Sequence, residues 1–298
     1  MKTGVFAWTR APPSSFPFRR GIIPAQLIIQ LDRATAAYRP GETIHGHVRV
    51  VVRSELRPRG ITLHVIGDEV TSLGPNVAMA EHTHPFNLSF SLWSPTADQD
   101  RLPVGEYTFP CEFTLPANLP PTFKGELTTI AYRLEAKVNR PLATDLHAEQ
   151  QLIVRVPPPA DADKPVRASA HLKTGLTLEL DLKASGYCPG DHVLGTLHLI
   201  GTASAIKTAI VELVSREKGE AREFADHVEH LRVRAEIDPA QFNGHTPCPI
   251  DLPLPDDADP SFVGQHSSKA RFVRAQLTFT DGHTLTTEAI IRVGQRDQ

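Results

Sequence analysis

At 298 residues, with 40% apolar and 22% charged side chains, the chain has the length of two domains of about 150 residues, each able to bury a core without disulfides or metals. A formal net charge of −3 gives no general attraction for nucleic acid or an anionic membrane, and no apolar run approaches the roughly 18 residues of a membrane span. Three cysteines without a C-x-x-C pair argue against a disulfide framework, while 26 prolines suit short strands far better than long helices.

Residues 1–24 carry Trp8, Phe16 and Phe18 ahead of Arg19-Arg20 and show no sustained period. An extended arm is expected there, packing across the first sheet or reaching a partner. Without a continuous apolar run, no signal peptide is expected, and a soluble, cytoplasmic protein follows. Alternation begins at Gln26–Asp32, where Leu27, Ile29 and Leu31 share a face. Tyr38-Arg39-Pro40-Gly41-Glu42 reads as a turn, and Ile44, Gly46, Val48 and Val50 form the inner face of the strand that leaves it. Ser54–Pro58 is expected to close a hairpin onto Arg59–Asp68, and Val70–Thr83 to be a long loop or a poorly formed edge strand. Further strands are expected at Pro85–Trp93, Phe109–Leu115, Ile130–Val138 and Glu149–Val156, with Ser94–Arg101 a polar turn.

Val156-Pro157-Pro158-Pro159 opens a composition break that ends at Pro165, so residues 157–165 are expected to be a semi-rigid polyproline linker. It separates a domain at 1–156 from one at 166–298. Strands in the second are expected at Leu172–Leu182, Asp191–Ile200, Ala205–Ser215, Glu229–Ile237, Pro247–Leu252, Ala270–Thr280 and Thr284–Val293. The charged Arg216–Asp226 stretch fits either a short helix or a long hairpin loop.

The second half repeats the first. Tyr187-Cys188-Pro189-Gly190-Asp191-His192-Val193-Leu194-Gly195 copies the pattern Y-x-P-G-[DE]-x-[IV]-x-G that starts at Tyr38, 149 positions earlier. Pro110-Cys111-Glu112-Phe113-Thr114-Leu115-Pro116 matches Pro247-Cys248-Pro249-Ile250-Asp251-Leu252-Pro253, which makes Cys111 and Cys248 equivalent, and Pro121–Gly125 matches Pro260–Gly264. Ordered repeats of this kind imply two homologous all-β domains in tandem.

Leu102-Pro103-Val104-Gly105-Glu106-Tyr107-Thr108-Phe109-Pro110-Cys111-Glu112-Phe113-Thr114-Leu115-Pro116, then Leu119–Gly125, then Ile130-Ala131-Tyr132-Arg133-Leu134-Glu135-Ala136, resemble in order and spacing the arrestin-domain-containing proteins. The resemblance to the arrestin-fold superfamily implies two tandem immunoglobulin-like β-sandwich domains. It also implies a non-enzymatic adaptor or scaffold that binds protein partners in trafficking or signalling. A compact pair of domains is similar to the bacterial members. None of Tyr38, Tyr107, Tyr132 or Tyr187 follows a Pro-Pro pair, so recruitment of ubiquitin ligases through that motif is not implied.

Catalytic, cofactor and metal sites are not expected. His45-x-His47 and His82-x-His84 are same-face pairs on extended chain, but neither has carboxylate or cysteine spacing beside it, and a solvated face is the simpler account. Cys111 and Cys248 lie among strand apolar residues, where a thiol packs as a small hydrophobe. The competing classes are a metal-dependent enzyme on tandem sandwiches and a carbohydrate- or envelope-binding module. Convergent histidines would favour the first; the second would call for exposed aromatic platforms, in a chain only 6% aromatic. Arg49, Arg53, Arg57 and Arg59 cluster around one expected hairpin, and with Arg19 and Arg20 they are the candidate surface for an acidic or phosphorylated protein partner. Neither nucleic acid nor an integral membrane segment is expected, and membrane association would be peripheral, through a membrane protein.

Overall fold

The computed structural model describes residues 9–11, 24–74, 80–141, 143–173, 175–201, 205–242 and 246–296. Regular structure among the described residues is almost entirely strand, with one short 3-10 helix at Pro239–Gln241. Two compact units are present: Met1–Glu69 with His82–Thr122 and Ile130–Arg155, and Val70–Glu81 with Phe123–Thr129 and Val156–Gln298.

In the first half of the chain, β1 (Thr9–Ala11), β7 (Gly105–Thr114), β4 (Thr43–Val52) and β2 (Ala25–Leu31) form one sheet in the order β1-β7-β4-β2. The facing sheet runs β3 (Ala37–Tyr38), β10 (Leu146–Val154), β9 (Thr128–Asn139), β5 (Gly60–Ser72) and β6 (Ala80–Trp93), with β8 (Phe123–Lys124) paired to β9. Alternation dictates what fills the space between them. Ile44, Val48 and Val50 from one sheet and Ile61, Leu63, Val65, Leu134 and Val154 from the other are fully buried.

The second half repeats this plan. The sheet β11 (Val166–His171), β12 (Thr177–Leu182), β14 (His192–Ile200) and β17 (Cys248–Pro253) faces β13 (Gly186–Tyr187), β20 (Thr284–Val293), β19 (Ser267–Phe279), β15 (Ile206–Ala221) and β16 (Phe224–Ile237), and β18 (Phe262–Val263) pairs with β19. Leu178, Leu180, Val193, Leu197, Val211, Leu213, Val273, Leu277 and Ile291 form its core.

Both repeat turns have the geometry their sequence dictates. Gly41 and Gly190 take φ of 83° and 82°, the left-handed region required at the third position of a type II turn after proline. Glu42 N donates to Arg39 O at 3.1 Å and Asp191 N to Cys188 O at 3.0 Å. The acidic residue of each turn then closes it a second time. A carboxylate oxygen of Glu42 accepts from Arg39 N at 2.9 Å, as one of Asp191 does from Cys188 N at 2.7 Å. The final glycine of the motif answers a different demand: a Cβ on Gly46 would lie 2.6 Å from Gln30 O, and one on Gly195 2.4 Å from Asp181 O.

Strand register corrects the alignment of the two halves. Gly46 pairs with Cys111, but Gly195 pairs with Ile250, and Cys248 instead faces Leu197. The structural counterpart of Cys111 is therefore Ile250. A slip of two residues leaves every side chain on the same face, so the hydrophobic pattern alone could not detect it. Elsewhere the halves correspond in detail: Thr122 N donates to Val154 O at 2.9 Å and Ser261 N to Val293 O at 2.8 Å. Each hydroxyl returns the contact by accepting from the valine N–H, at 2.9 and 3.0 Å.

Four expectations about elements are overturned. β4 and β5 are not a hairpin, since they lie in different sheets; the chain crosses the sandwich at Ser54–Arg59, tied by a bridge between Leu56 and Leu102. The loop reading of Val70–Thr83 fails among the described residues, where β5 continues to Ser72 and the edge strand β6 starts at Ala80, as the alternative of an edge has it. β11 ends at His171 and β12 starts at Thr177, antiparallel to it, so Leu172–Leu182 is not one strand. Arg216–Asp226 is neither helix nor long loop: β15 and β16 run through it to a two-residue turn at Arg222-Glu223, where Arg222 has φ of 57°. The outer faces of strands near a sheet edge accept charge, and this pair is one long ribbon of that kind.

The proline-rich segment is bonded into the second unit. Ser185 N and Gly186 N both donate to Ala162 O, at 2.8 and 2.9 Å, and Arg292 reaches Asp161 at 2.6 Å.

Candidate partner-binding surfaces

The arginines singled out from the sequence are distributed as follows. Arg19 and Arg20 lie outside the described residues. Arg49 on β4 pairs with Glu106 of β7 at 3.1 Å, and Arg57 approaches Glu55 at 3.9 Å. Glu55 is shared with Arg101 at 3.3 Å, which also binds Asp100 at 3.1 Å. Arg53 donates to Gln26 at 3.3 Å, and Arg53, Arg57 and Arg59 are all exposed. Their positive field is thus partly cancelled by neighbouring carboxylates, and exposed pairs of this kind are worth about 0–1 kcal/mol each.

A larger feature occupies the outer face of the second unit. β15 turns Arg216 and Lys218 outward, β19 turns Ala270 and Phe272, and β20 turns Ile290 and Arg292, as alternation requires. Val156, Pro157 and Pro159 form one wall and β18 another, enclosing a cleft of about 460 Å³. Its surface is apolar: Val263 is 81% exposed and Ile290 53%. Four basic residues line it, but Lys269 is buried against Glu217, Arg216 is held by Glu229 and Arg292 by Asp161, which leaves Lys218 as the exposed cation outside these pairs. Just beside the cleft the charges are locked together. Arg274 binds Glu229 at 3.1 Å and Glu288 at 2.6 Å, and Arg216 binds Glu229 and stacks 4.3 Å above Phe272. Burial pushes the Glu229 carboxyl up, but hydrogen bonds from Arg216 and Arg274 outweigh it and hold the group below its ordinary value.

Beneath this face the second unit contains buried charge. Glu217 on β15 and Lys269 on β19 are 2% and 4% exposed, stand opposite each other in the ladder and approach to 3.5 Å. One oxygen of Glu217 accepts from Leu127 N and Thr128 N, both at 2.9 Å, and the other from Glu126 N at 3.2 Å. The loop admits the carboxylate only because residue 125 is glycine; a Cβ there would lie 2.2 Å from Glu217. Burial pulls the Lys269 ammonium down and Glu217 resists the change. Arg271, 1% exposed, is pulled down to about 10 by burial, and its Nη2 donates to Asp259 O at 3.3 Å.

A third cluster lies on the first unit. Asp68, on the outer face of β5, is met by both imidazoles of β6, His82 at 3.0 Å and His84 at 2.8 Å, and by the Arg133 guanidinium of β9. The His82-x-His84 pair is visible in the sequence, whereas its carboxylate stands 14 positions before His82 and has no spacing signal.

Comparison with known proteins supplies the family context. Residues 27–159 match the family model described as arrestin (or S-antigen), N-terminal domain. A human protein named arrestin domain-containing protein 1 is 32% identical over 179 residues, covering 54% of this chain and 40% of the relative. Arrestin domain-containing protein 17 of Caenorhabditis elegans is 25% identical over 255 residues, 73% of this chain and 60% of the relative. Arrestin domain-containing protein 4 of mouse is 25% identical over 201 residues, covering 58% and 48%. The chain thus spans 60% or less of the length of these relatives.

Proposed function

The chain belongs to the arrestin-fold superfamily, and from that premise we propose that it is a non-enzymatic, cytoplasmic adaptor that holds protein partners in trafficking or signalling. The observation that carries the reading is the cleft on the second unit. A surface that leaves Val263 and Ile290 open to water beside the exposed Lys218 ammonium suits an extended protein segment bearing an apolar side chain next to an acidic one. Burying the apolar residue supplies affinity, and the Lys218 charge favours an acidic neighbour and disfavours a basic one. Arg53, Arg57 and Arg59, all exposed on the first unit, provide an accessory contact for an acidic partner.

The test is affinity capture by the full chain in its own cells, comparing the wild type with Lys218→Glu/Ile290→Asp. Residues at the centre of such a contact each cost about 2 kcal/mol or more when removed, so capture of the docked protein should fall at least about 30-fold. Identical captured proteins in identical amounts would remove the cleft from the account, and empty captures after cross-linking would remove the adaptor reading itself.

A further inference from the structure

We propose that Asp68, His82 and His84 form a binding site for a single borderline divalent transition-metal ion, best matched by Zn²⁺. The site is assembled by strand geometry. His82 and His84 are two apart on β6 and therefore share its outer face, and Asp68 stands outward on β5, next to β6 in the sheet. Nε2 of His82 and Nδ1 of His84 converge on the same carboxylate oxygen, Oδ1 of Asp68, at 3.0 and 2.8 Å. All three ligand atoms lie within 4.8 Å of one another. In a tetrahedral zinc site with bonds of about 2.0–2.1 Å, neighbouring ligand atoms are separated by roughly 3.3 Å. The two contacts to Asp68 thus need to open by only a few tenths of an ångström to admit an ion.

The remaining adjustment falls on groups free to make it. Both histidines are about half exposed, at 55% and 49%, and their rings are 4.8 Å apart and tilted by 57°. Small rotations bring both nitrogens to one point. Asp68 is the fixed member, 13% exposed, with its other oxygen held by Arg133, which is bonded in turn to Glu135 at 2.6 Å. Such a partner orients a carboxylate ligand from behind and leaves its second oxygen facing the ion. The charge of Arg133 opposes the cation and lowers affinity without removing a ligand.

Protons balance without release from neutral rings. Each imidazole now directs one nitrogen at Asp68; on metal binding the ring proton resides on the opposite nitrogen, so that the inward one donates its lone pair. Two imidazoles and one carboxylate suit Zn²⁺ or Cu²⁺ over the hard cations Mg²⁺ and Ca²⁺, which take oxygen ligands. Three protein ligands leave a fourth position for water or for a donor from a bound protein. Occupancy would also fasten the edge strand β6 to β5.

The experiment titrates zinc chloride into the metal-free, untagged full chain by calorimetry, with Co²⁺ as a second probe whose visible ligand-field absorption reports a tetrahedral site. The wild type should bind one equivalent. His82→Ala/His84→Ala should bind at least about 100-fold more weakly and Asp68→Asn at least about tenfold, taking ten- to a hundredfold per perturbed group as the guide. Circular dichroism should show each variant folded, as substitutions at half-exposed histidines permit. Absence of stoichiometric binding to the wild type, or unchanged affinity in the folded double histidine variant, would overturn the proposal.

Discussion

Replacing Glu217 by glutamine changes one atom at a site with no spare acceptor. One carboxylate oxygen serves Leu127 N and Thr128 N; the other serves Glu126 N and the Lys269 ammonium. Wherever the amide nitrogen of glutamine sits, it opposes donors, and Lys269 loses its counter-charge while remaining 4% exposed. Breaking a buried pair in this way costs about 3–5 kcal/mol. For a unit of this size about 2–4 °C is lost per kcal/mol, so the second unit's melting transition should drop by roughly 6–20 °C. Calorimetry measures the drop, and amide hydrogen exchange at Leu127 and Thr128 locates it, because both N–H groups should lose protection. Glu217→Gln/Lys269→Met should recover part of the loss, since it removes the stranded cation along with its partner. A transition within 1–2 °C of wild type, with unchanged exchange at residues 127 and 128, would refute the reasoning.

Charge reversal at Arg53, Arg57 and Arg59 should weaken capture of an acidic partner while each exposed site changes stability by no more than about 0.5 kcal/mol; equal capture by the triple variant would discard that surface. Glu229 is held below its ordinary value in the fold, so its contribution to stability is complete above about pH 4.3 and disappears as pH falls through the lower folded value. Glu229→Gln should therefore flatten the acid limb of the stability curve, and an unaltered limb would show that the arginine contacts contribute nothing. Cys111 is buried and its thiol is pushed up to about 11 by burial, so it should resist a thiol reagent in the folded chain and react on unfolding. Rapid labelling under native conditions would contradict its place in the core.

What could be read in the sequence is what short-range chemistry dictates. Pro40-Gly41 and Pro189-Gly190 specify their turns without outside help, and the Ile44-x-x-x-Val48-x-Val50 alternation specifies a half-buried strand. The family resemblance rests on such pieces in order, and residues 27–159 match the arrestin N-terminal domain. What was hidden depends on partners distant in the chain. Nothing near Ser54 announces that β4 and β5 belong to opposite sheets. The equivalence of Cys111 with Ile250 is masked because a strand looks the same after a two-residue slip. Asp68 is 14 positions from His82, and Glu217 finds its three N–H donors about 90 positions away, so neither cluster has a spacing signature. The cleft is assembled from five short stretches between Val156 and Val293 whose outward residues meet only when β15, β19 and β20 lie side by side.

Docking of a protein segment in the second-unit cleft is tested most directly by a photo-reactive amino acid placed at position 263, where the native valine is 81% exposed. Irradiation in cells, followed by mass spectrometry of the cross-linked peptides, should return one reproducible protein joined through a stretch with an apolar residue next to an acidic one. Addition of Lys218→Glu should abolish that cross-link. A scatter of unrelated abundant proteins, indifferent to the charge at position 218, would contradict the assignment of this cleft as the adaptor's docking site.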